Sequence, residues 1–207
     1  KRVKKISRSD FLKISGLSFG GLLMLPHHSC SGISNKKLTI NGANNYQIVI
    51  PANASKIEEE ASLQLKKHLQ LLSKRVPDVV KENEYNGKNG IFIGQTNHAK
   101  KNNVAADALE EDGYVFKNIG DDFLIQGGSE KGLLYGVYSL LESFGFRKYA
   151  ADDPLDIPST INFELPNDIT KIPKINYRTT NYYEGRDSEY ADWNKLSSSD
   201  SWGCLLY

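Results

Sequence analysis

Cys30 and Cys204 are the only cysteines in a chain of 207 residues. A disulfide-stapled secreted fold and a multi-cysteine zinc site are thereby excluded, because each needs several thiols at set spacings. Histidine is as sparse. His27, His28, His68 and His98 show no ligand spacing across a helix or hairpin, so neither a metal nor a cofactor is expected. His68 and His98 read as ordinary surface or helix-side histidines. Charge of one sign is also missing: 26 basic residues against 25 acidic ones leave a net +1, which gives nucleic acid no electrostatic footprint. The apolar run from Ile14 to Leu25 spans twelve residues, short of the ~20 that cross a bilayer. No internal repeat is present, and Ser197-Ser198-Ser199 is the only low-complexity tract.

What charge there is lies unevenly. Lys1 to Ser29 holds six bases and one acid, or +5, so the rest of a +1 chain carries −4. A basic start followed by a short apolar run reads as a secretion signal over residues 1–30. Ser7 to Lys13 resembles the twin-arginine export motif with its second arginine replaced by Ser9. Cys30 closes the apolar run where bacterial lipoproteins carry their acylated cysteine, although His27 and His28 stand where small residues are usual. Lipidation at Cys30 and an ordinary cleaved signal both remain open. Either makes the protein exported, periplasmic or at the cell surface, and the first anchors it to a membrane as a lipoprotein.

The mature chain, about 177 residues, is long enough for one domain with a real core. Residues 36–41 and 46–50 read as two short strands around a turn at Asn41-Gly42 and Asn44-Asn45. Ser55 and Glu58 form a capping box, and Ile57, Ala61, Leu65, Leu69 and Leu72 mark the buried face of a helix ending near Pro77. Ile91, Phe92 and Ile93 between Gly90 and Gly94 suit a central strand. Gly113 to Lys117 and Phe123 to Gln126 look like a hairpin. A second helix follows Ser129, whose hydroxyl suits an N-cap, with Leu134, Val137, Tyr138, Leu141 and Phe144 as its buried stripe. Gly132 and Gly136, four apart, allow that helix to approach a sheet closely, and Gly145 suits a left-handed C-terminal cap. Ile161 to Leu165 reads as a short strand and Ile175 to Thr180 as another.

The unit KGLLYGVYSLLESFGFRKY (Lys131–Tyr149), preceded by IFIG, GYVF and FLIQGG and followed by IPKINYR, resembles the N-terminal domain of family 67 α-glucuronidases. A similar domain precedes the barrel of family 20 β-hexosaminidases. The resemblance covers roughly residues 38–180. It implies an α+β fold, a mixed β-sheet with two main helices packed on one face, followed by a stump of a (β/α)8 barrel. The expected division is an accessory domain over 36–166, a linker over 167–176 and the start of a truncated catalytic barrel over 177–207. A whole barrel needs ~250 residues.

The implied activity is that of an exported glycoside hydrolase acting on O-glycosidic bonds of polysaccharide-derived glycans, in the α-glucuronidase manner. A non-catalytic surface module for glycan binding or assembly is the alternative. Glycoside hydrolysis needs two carboxyl groups flanking the bond. Asp152, Asp153, Glu184, Asp187, Glu189 and Asp192 show no such pairing, and no catalytic residue is assigned. The resemblance to family 20 makes Arg178 a sugar contact at the first barrel strand, since a guanidinium fork serves adjacent hydroxyls. Arg186 fits that family's second arginine, while Tyr183 replaces its acid. A strand-end Arg178 paired with a carboxylate is the competing reading. Trp202 is the second candidate for substrate binding, because flat rings stack on sugar faces, whereas Trp193, Tyr135, Tyr138 and Phe146 read as core or interdomain packing. The carbohydrate would be met through the missing barrel. The GxSxG pattern of Gly16 to Gly20 lies in the leader and the glycines of Gly127 to Gly132 lack the lysine of a phosphate loop, so both are set aside.

Overall fold

The computed structural model describes residues 39–40, 46–72, 77–87, 89–159, 163–175 and 177–197. All belong to one unit, Lys36–Tyr207. Its elements in chain order are β1 (Thr39–Ile40), β2 (Gln47–Ile50), α1 (Lys56–Leu72), β3 (Asp78–Lys81), β4 (Gly90–Ile93) and α2 (Asn97–Lys101). Then follow β5 (Tyr114–Ile119), β6 (Asp122–Gly127), α3 (Glu130–Ser143), β7 (Phe163–Glu164), β8 (Ile169–Lys171) and α4 (Ser188–Trp193).

Six strands form one mixed sheet in the order β3-β2-β4-β6-β5-β8. The first four run parallel, and β5 is antiparallel to β6 and β8 on either side of it. Strand alternation divides the core in two. Ile48, Ile50, Ile91, Ile93, Phe123 and Ile125 face α1 and α3, which pack together on one side as expected. Val49, Phe92 and Leu124 face the other side, where Ala99 of the short α2 and the ring of Tyr85 cover them.

The expected hairpin joining the first two strands does not form. β1 instead pairs with β7 in a separate two-stranded sheet, and β2 lies between β3 and β4. The reason is in the residues: Ile48, Val49 and Ile50 are buried on both faces, which a strand achieves in the interior of a covered parallel sheet. β3 gave little sequence signal, since only Val79 and Val80 of its four residues are even half-buried at the sheet edge. The stretch expected as a linker carries β8, whose Ile169 pairs with Phe116 and completes the other edge. The strand expected over Ile175–Thr180 is not found among the described residues. There the backbone of Arg178 bonds Ser197 instead, its N–H donating to Oγ at 3.0 Å and its carbonyl accepting from the Ser197 N–H at 2.6 Å.

The capping box is present: Glu58 N–H donates to Ser55 Oγ at 3.2 Å and Ser55 N–H to Glu58 Oε2 at 2.9 Å. Helix α3 differs from its expected stripe. Leu133, Tyr135, Val137, Tyr138, Leu140 and Leu141 are buried all round it, with Leu134 only half-buried, because sheet, α1 and α4 each claim a side. Gly132 and Gly136 permit this. A Cβ on Gly132 would run into the backbone carbonyl of Gly113, and one on Gly136 would lie 3.0 Å from Ile125 Cγ2. Gly145 takes φ +102° just past the helix.

His68, read as a surface or helix-side histidine, lies on α1 but is buried. It sits between the rings of Phe146 and Trp193, with Nδ1 2.7 Å from the Gln64 carbonyl. Burial lowers its pKa below the ordinary 6.5, outweighing the carbonyl. The unfolded chain therefore binds a proton on falling below pH ~6.5 before the folded one does, so this contribution to stability is full above that value and lost on acidification. His68→Gln is expected to flatten the fall in urea-unfolding free energy between pH ~7.5 and ~5, and an unchanged slope would disprove it. Gly132→Ala should cost about 1–3 kcal/mol despite the gain in helix propensity. A urea midpoint equal to the parent's would contradict the close packing of α3.

Candidate functional site

Two places concentrate polar chemistry, and both lie at the end of the sheet where β6 runs into α3. The first is built around Asp112, which is 4 % exposed just before β5. Arg178 Nη2 donates to Asp112 Oδ2 at 2.7 Å, and Lys131 Nζ lies 3.2 Å from Oδ1. Both cations stand 5.5 Å from the centre of the Tyr135 ring, and the Tyr135 hydroxyl donates to the Leu196 carbonyl at 3.0 Å. Arg178 further donates from Nε to the Lys195 carbonyl at 2.8 Å and from Nη1 to that of Ile175 at 2.5 Å.

These contacts fasten residues 177–197 onto the domain. Lys195 Nζ adds a 2.7 Å bond to Glu142 at the far end of α3, and Trp193, 1 % exposed, packs against Tyr138 and His68. Burial opposes the charge of Lys131, yet Tyr135 and the Asp112 carboxylate hold its pKa above the ordinary value. Burial likewise raises the Tyr135 hydroxyl, which stays protonated and able to donate.

The structure places the residues singled out from the sequence as follows. Arg178 makes the carboxylate pair of the competing reading. Trp202 and Cys30 lie outside the described residues. Arg186 sits 5.9 Å over the exposed ring of Tyr183, away from Asp112 and its partners. Asp187 caps α4 by accepting from the Tyr190 N–H at 2.7 Å, and Glu189 pairs with Lys67 at 3.5 Å. Asp192 is half-buried, which raises its pKa. Trp193, Tyr135, Tyr138 and Phe146 are all core. Asp112 was missed because nothing in its neighbours Glu110 and Glu111 distinguishes it; its partners lie 19 and 66 residues downstream.

The second place is a cleft of about 450 Å³ outside the carboxyl ends of β2, β4 and β6. There β2 leads into α1 on one face of the sheet and β4 into α2 on the other, so the chain parts on opposite sides of a crevice, the usual ligand position in open α/β sheets. Glu58 forms part of its wall. Besides capping α1, it accepts from the Gln95 N–H at 2.8 Å, and Gly94 takes φ +84° where a Cβ would run into that carboxylate. Glu82 caps α2 by accepting from the N–H groups of Asn97 at 2.8 Å and His98 at 2.7 Å. The capping box flagged Glu58 as a helix cap, but the cleft itself was not legible, since its walls come from four separated segments. Among the described residues no group of acids, histidines or cysteines is arranged to hold a metal ion, and no helix is long and apolar enough to cross a membrane.

A family model described as Glycosyl hydrolase family 67 N-terminus matches residues 31–140. No curated protein matches the sequence. Among solved structures, a family GH115 4-O-methyl-α-glucuronidase with specificity for decorated arabinogalactans is similar at TM-score 0.53 and 15% identity, over 69% of this chain and 19% of that one. A GH20 exo-β-N-acetylglucosaminidase from Vibrio harveyi is similar at TM-score 0.42 and 18% identity, over 70% of this chain and 18% of that one. A GH138 enzyme targeting pectin rhamnogalacturonan II gives TM-score 0.41 and 18% identity, over 70% and 14%. The chain thus spans less than a fifth of the length of these enzymes, and the GH115 likeness is one of fold.

Removing Asp112 leaves two cations facing one another in a half-dry site. Asp112→Ala should therefore cost about 3–5 kcal/mol, more than Arg178→Ala. In a double-mutant cycle the pair should couple by about 1–3 kcal/mol in urea unfolding. Costs that simply add would show that the two residues act independently.

Proposed function

Because the chain belongs to the Glycosyl hydrolase family 67 N-terminus family, we propose that it works as the N-terminal accessory domain of an exported glycoside hydrolase acting on polysaccharide-derived glycans, with α-glucuronidase-like activity. The observation that carries the accessory role is the fastening of residues 177–197. A flexible tether would make few contacts, yet this segment spends a buried carboxylate pair, a buried tryptophan and several backbone bonds on a fixed path across α3. Such a path suits a domain that orients whatever polypeptide it is joined to. Tyr177, Tyr182 and Tyr183 are exposed on the same segment, the last two at 78%, and with Ile175 just before it supply apolar area for a neighbouring body.

In this reading Arg178 is a positioning residue. Its guanidinium ties the segment to Asp112, and any effect on sugar binding runs through that geometry. The basic leader, the twelve-residue apolar run and Cys30 support export and a lipid anchor. In this reading the two carboxyl groups that glycoside hydrolysis needs belong to the barrel that the family resemblance implies, and none of the described acids is assigned that role.

The test is an assay of the native gene product on uronic-acid and N-acetylhexosamine glycosides, with fractionation of the expressing cells. Turnover of a uronic-acid glycoside and recovery in the membrane fraction, released by Cys30→Ser, are the expected results. Glycan binding without turnover on any glycoside would overturn the hydrolase reading in favour of a non-catalytic surface module.

A further inference from the structure

We infer that the cleft at the carboxyl ends of β2, β4 and β6 binds a neutral, hydroxyl-rich ligand, a mono- or disaccharide unit, at a site separate from any hydrolytic centre. The inference does not rest on the hydrolase reading. It follows from what the cleft can and cannot satisfy. Three carboxylates, Glu58, Glu82 and Glu130, line it against one cation, Lys100. An anionic ligand would meet net negative charge. The two long helices that open onto it offer less compensation than uncapped ends would, because several of their first N–H groups are taken: Glu58 N–H donates to Ser55 Oγ at the start of α1, and the N–H groups of Lys131 and Gly132 donate to Ser129 Oγ at the start of α3. A metal ion is not served either, since the carboxylates of Glu58 and Glu82 are each spent on two backbone N–H groups.

What is left free is amide. The side chains of Asn53, Gln95 and Asn97 stand around the cleft without a hydrogen bond to any described residue. Deeper in, Gln126 is 2 % exposed and donates from Nε2 to the Gly127 carbonyl at 2.9 Å. An amide carries both a donor and an acceptor, and a hydroxyl can take either role, so amides and fixed carboxylates together suit vicinal hydroxyls without demanding charge. The cleft's volume of about 450 Å³ falls within the ~300–1,000 Å³ of small-molecule sites. Its floor is also held more rigidly than a helix cap requires. Glu58 is locked from both sides, by Ser55 and by the Gly94-Gln95 loop whose left-handed glycine makes room for the carboxylate.

The experiment is an NMR titration of the ¹⁵N-labelled chain with D-xylose, D-glucose, D-glucuronate and inorganic phosphate, each at matched ionic strength. The expected result is saturable shifts at the backbone N–H groups of Gly94 to Asn97 and Gly127 to Glu130 with a neutral sugar, weaker ones with glucuronate and none with phosphate. The exposed pair Asn53→Ala and Asn97→Ala together should weaken neutral-sugar binding about tenfold, as loss of two ordinary hydrogen bonds implies, while leaving peaks elsewhere in place. No saturable shift with either neutral sugar would overturn the inference. So would a preference for phosphate, which would make this an anion site at the helix ends, or an Asn53→Ala/Asn97→Ala double variant that binds as well as the parent.

Discussion

Helix α3 lies close enough to the sheet that a methyl group on Gly132 would meet the Gly113 carbonyl, and much of the domain follows from that approach. A helix held so near β5 and β6 has little surface left for water. Its other sides are therefore free to receive α1 and the returning segment that ends in α4, and nearly every residue from Gly132 to Leu141 is buried. Tyr135, one turn on from Gly132, is 1 % exposed yet turns its hydroxyl to the Leu196 carbonyl and its ring to two cations. The glycines are thus a constraint on position rather than a source of flexibility.

The Asp112 cluster sits on that fixed turn and is best understood as a device for specificity. A buried carboxylate with two cations gains little net stability over a well-packed apolar group, since desolvation offsets most of the attraction. Breaking it is nonetheless costly, because the partner left behind is a charge out of water. Such a cluster penalises every arrangement in which residues 177–197 leave the domain by another route. Apolar packing alone, through Trp193 and Leu196, would tolerate small slips along α3. The fork of Arg178, bonded at once to Asp112, Lys195 and Ile175, does not.

Much of this fold was legible from residues that act locally. The capping box at Ser55 and Glu58, the hairpin of Gly113 to Lys117 with Phe123 to Gln126, the four-residue glycine spacing in α3 and the C-terminal Gly145 each depend on neighbours within a few positions. So α1, α3, β4 and β5/β6 could be read in advance, whereas the short α2 and α4 were not. The pairing of β1 with β7, the edge strands β3 and β8, and the burial of His68 depend on partners tens of residues away. β3 and β8 are also short edge strands, where half-exposed side chains weaken the alternation that would reveal them. The same division governs the candidate sites. Arg178 drew attention through the resemblance to family 20, but its carboxylate partner 66 residues earlier did not, so the residue was singled out before its contacts could be known.

The cleft and the cluster share one turn of helix, and this bears on how the domain can act. Ser129 and Glu130 line the cleft while Lys131 reaches Asp112, and the Ser129 hydroxyl donates to the Glu111 carbonyl at 2.6 Å between them. Adjacency of this kind invites the idea of a signal passing from ligand to junction. Transmission, however, needs an element with two packings of similar energy that a ligand can choose between. None is visible here: the glycines of this turn abut backbone, which cannot change rotamer, and Asp112 is held by partners on both oxygens. A ligand in the cleft would meet a preformed wall and leave the path of residues 177–197 unchanged. The arrangement fits a rigid bracket, one that presents a sugar-sized recess and a fixed exit path from the same edge of the sheet.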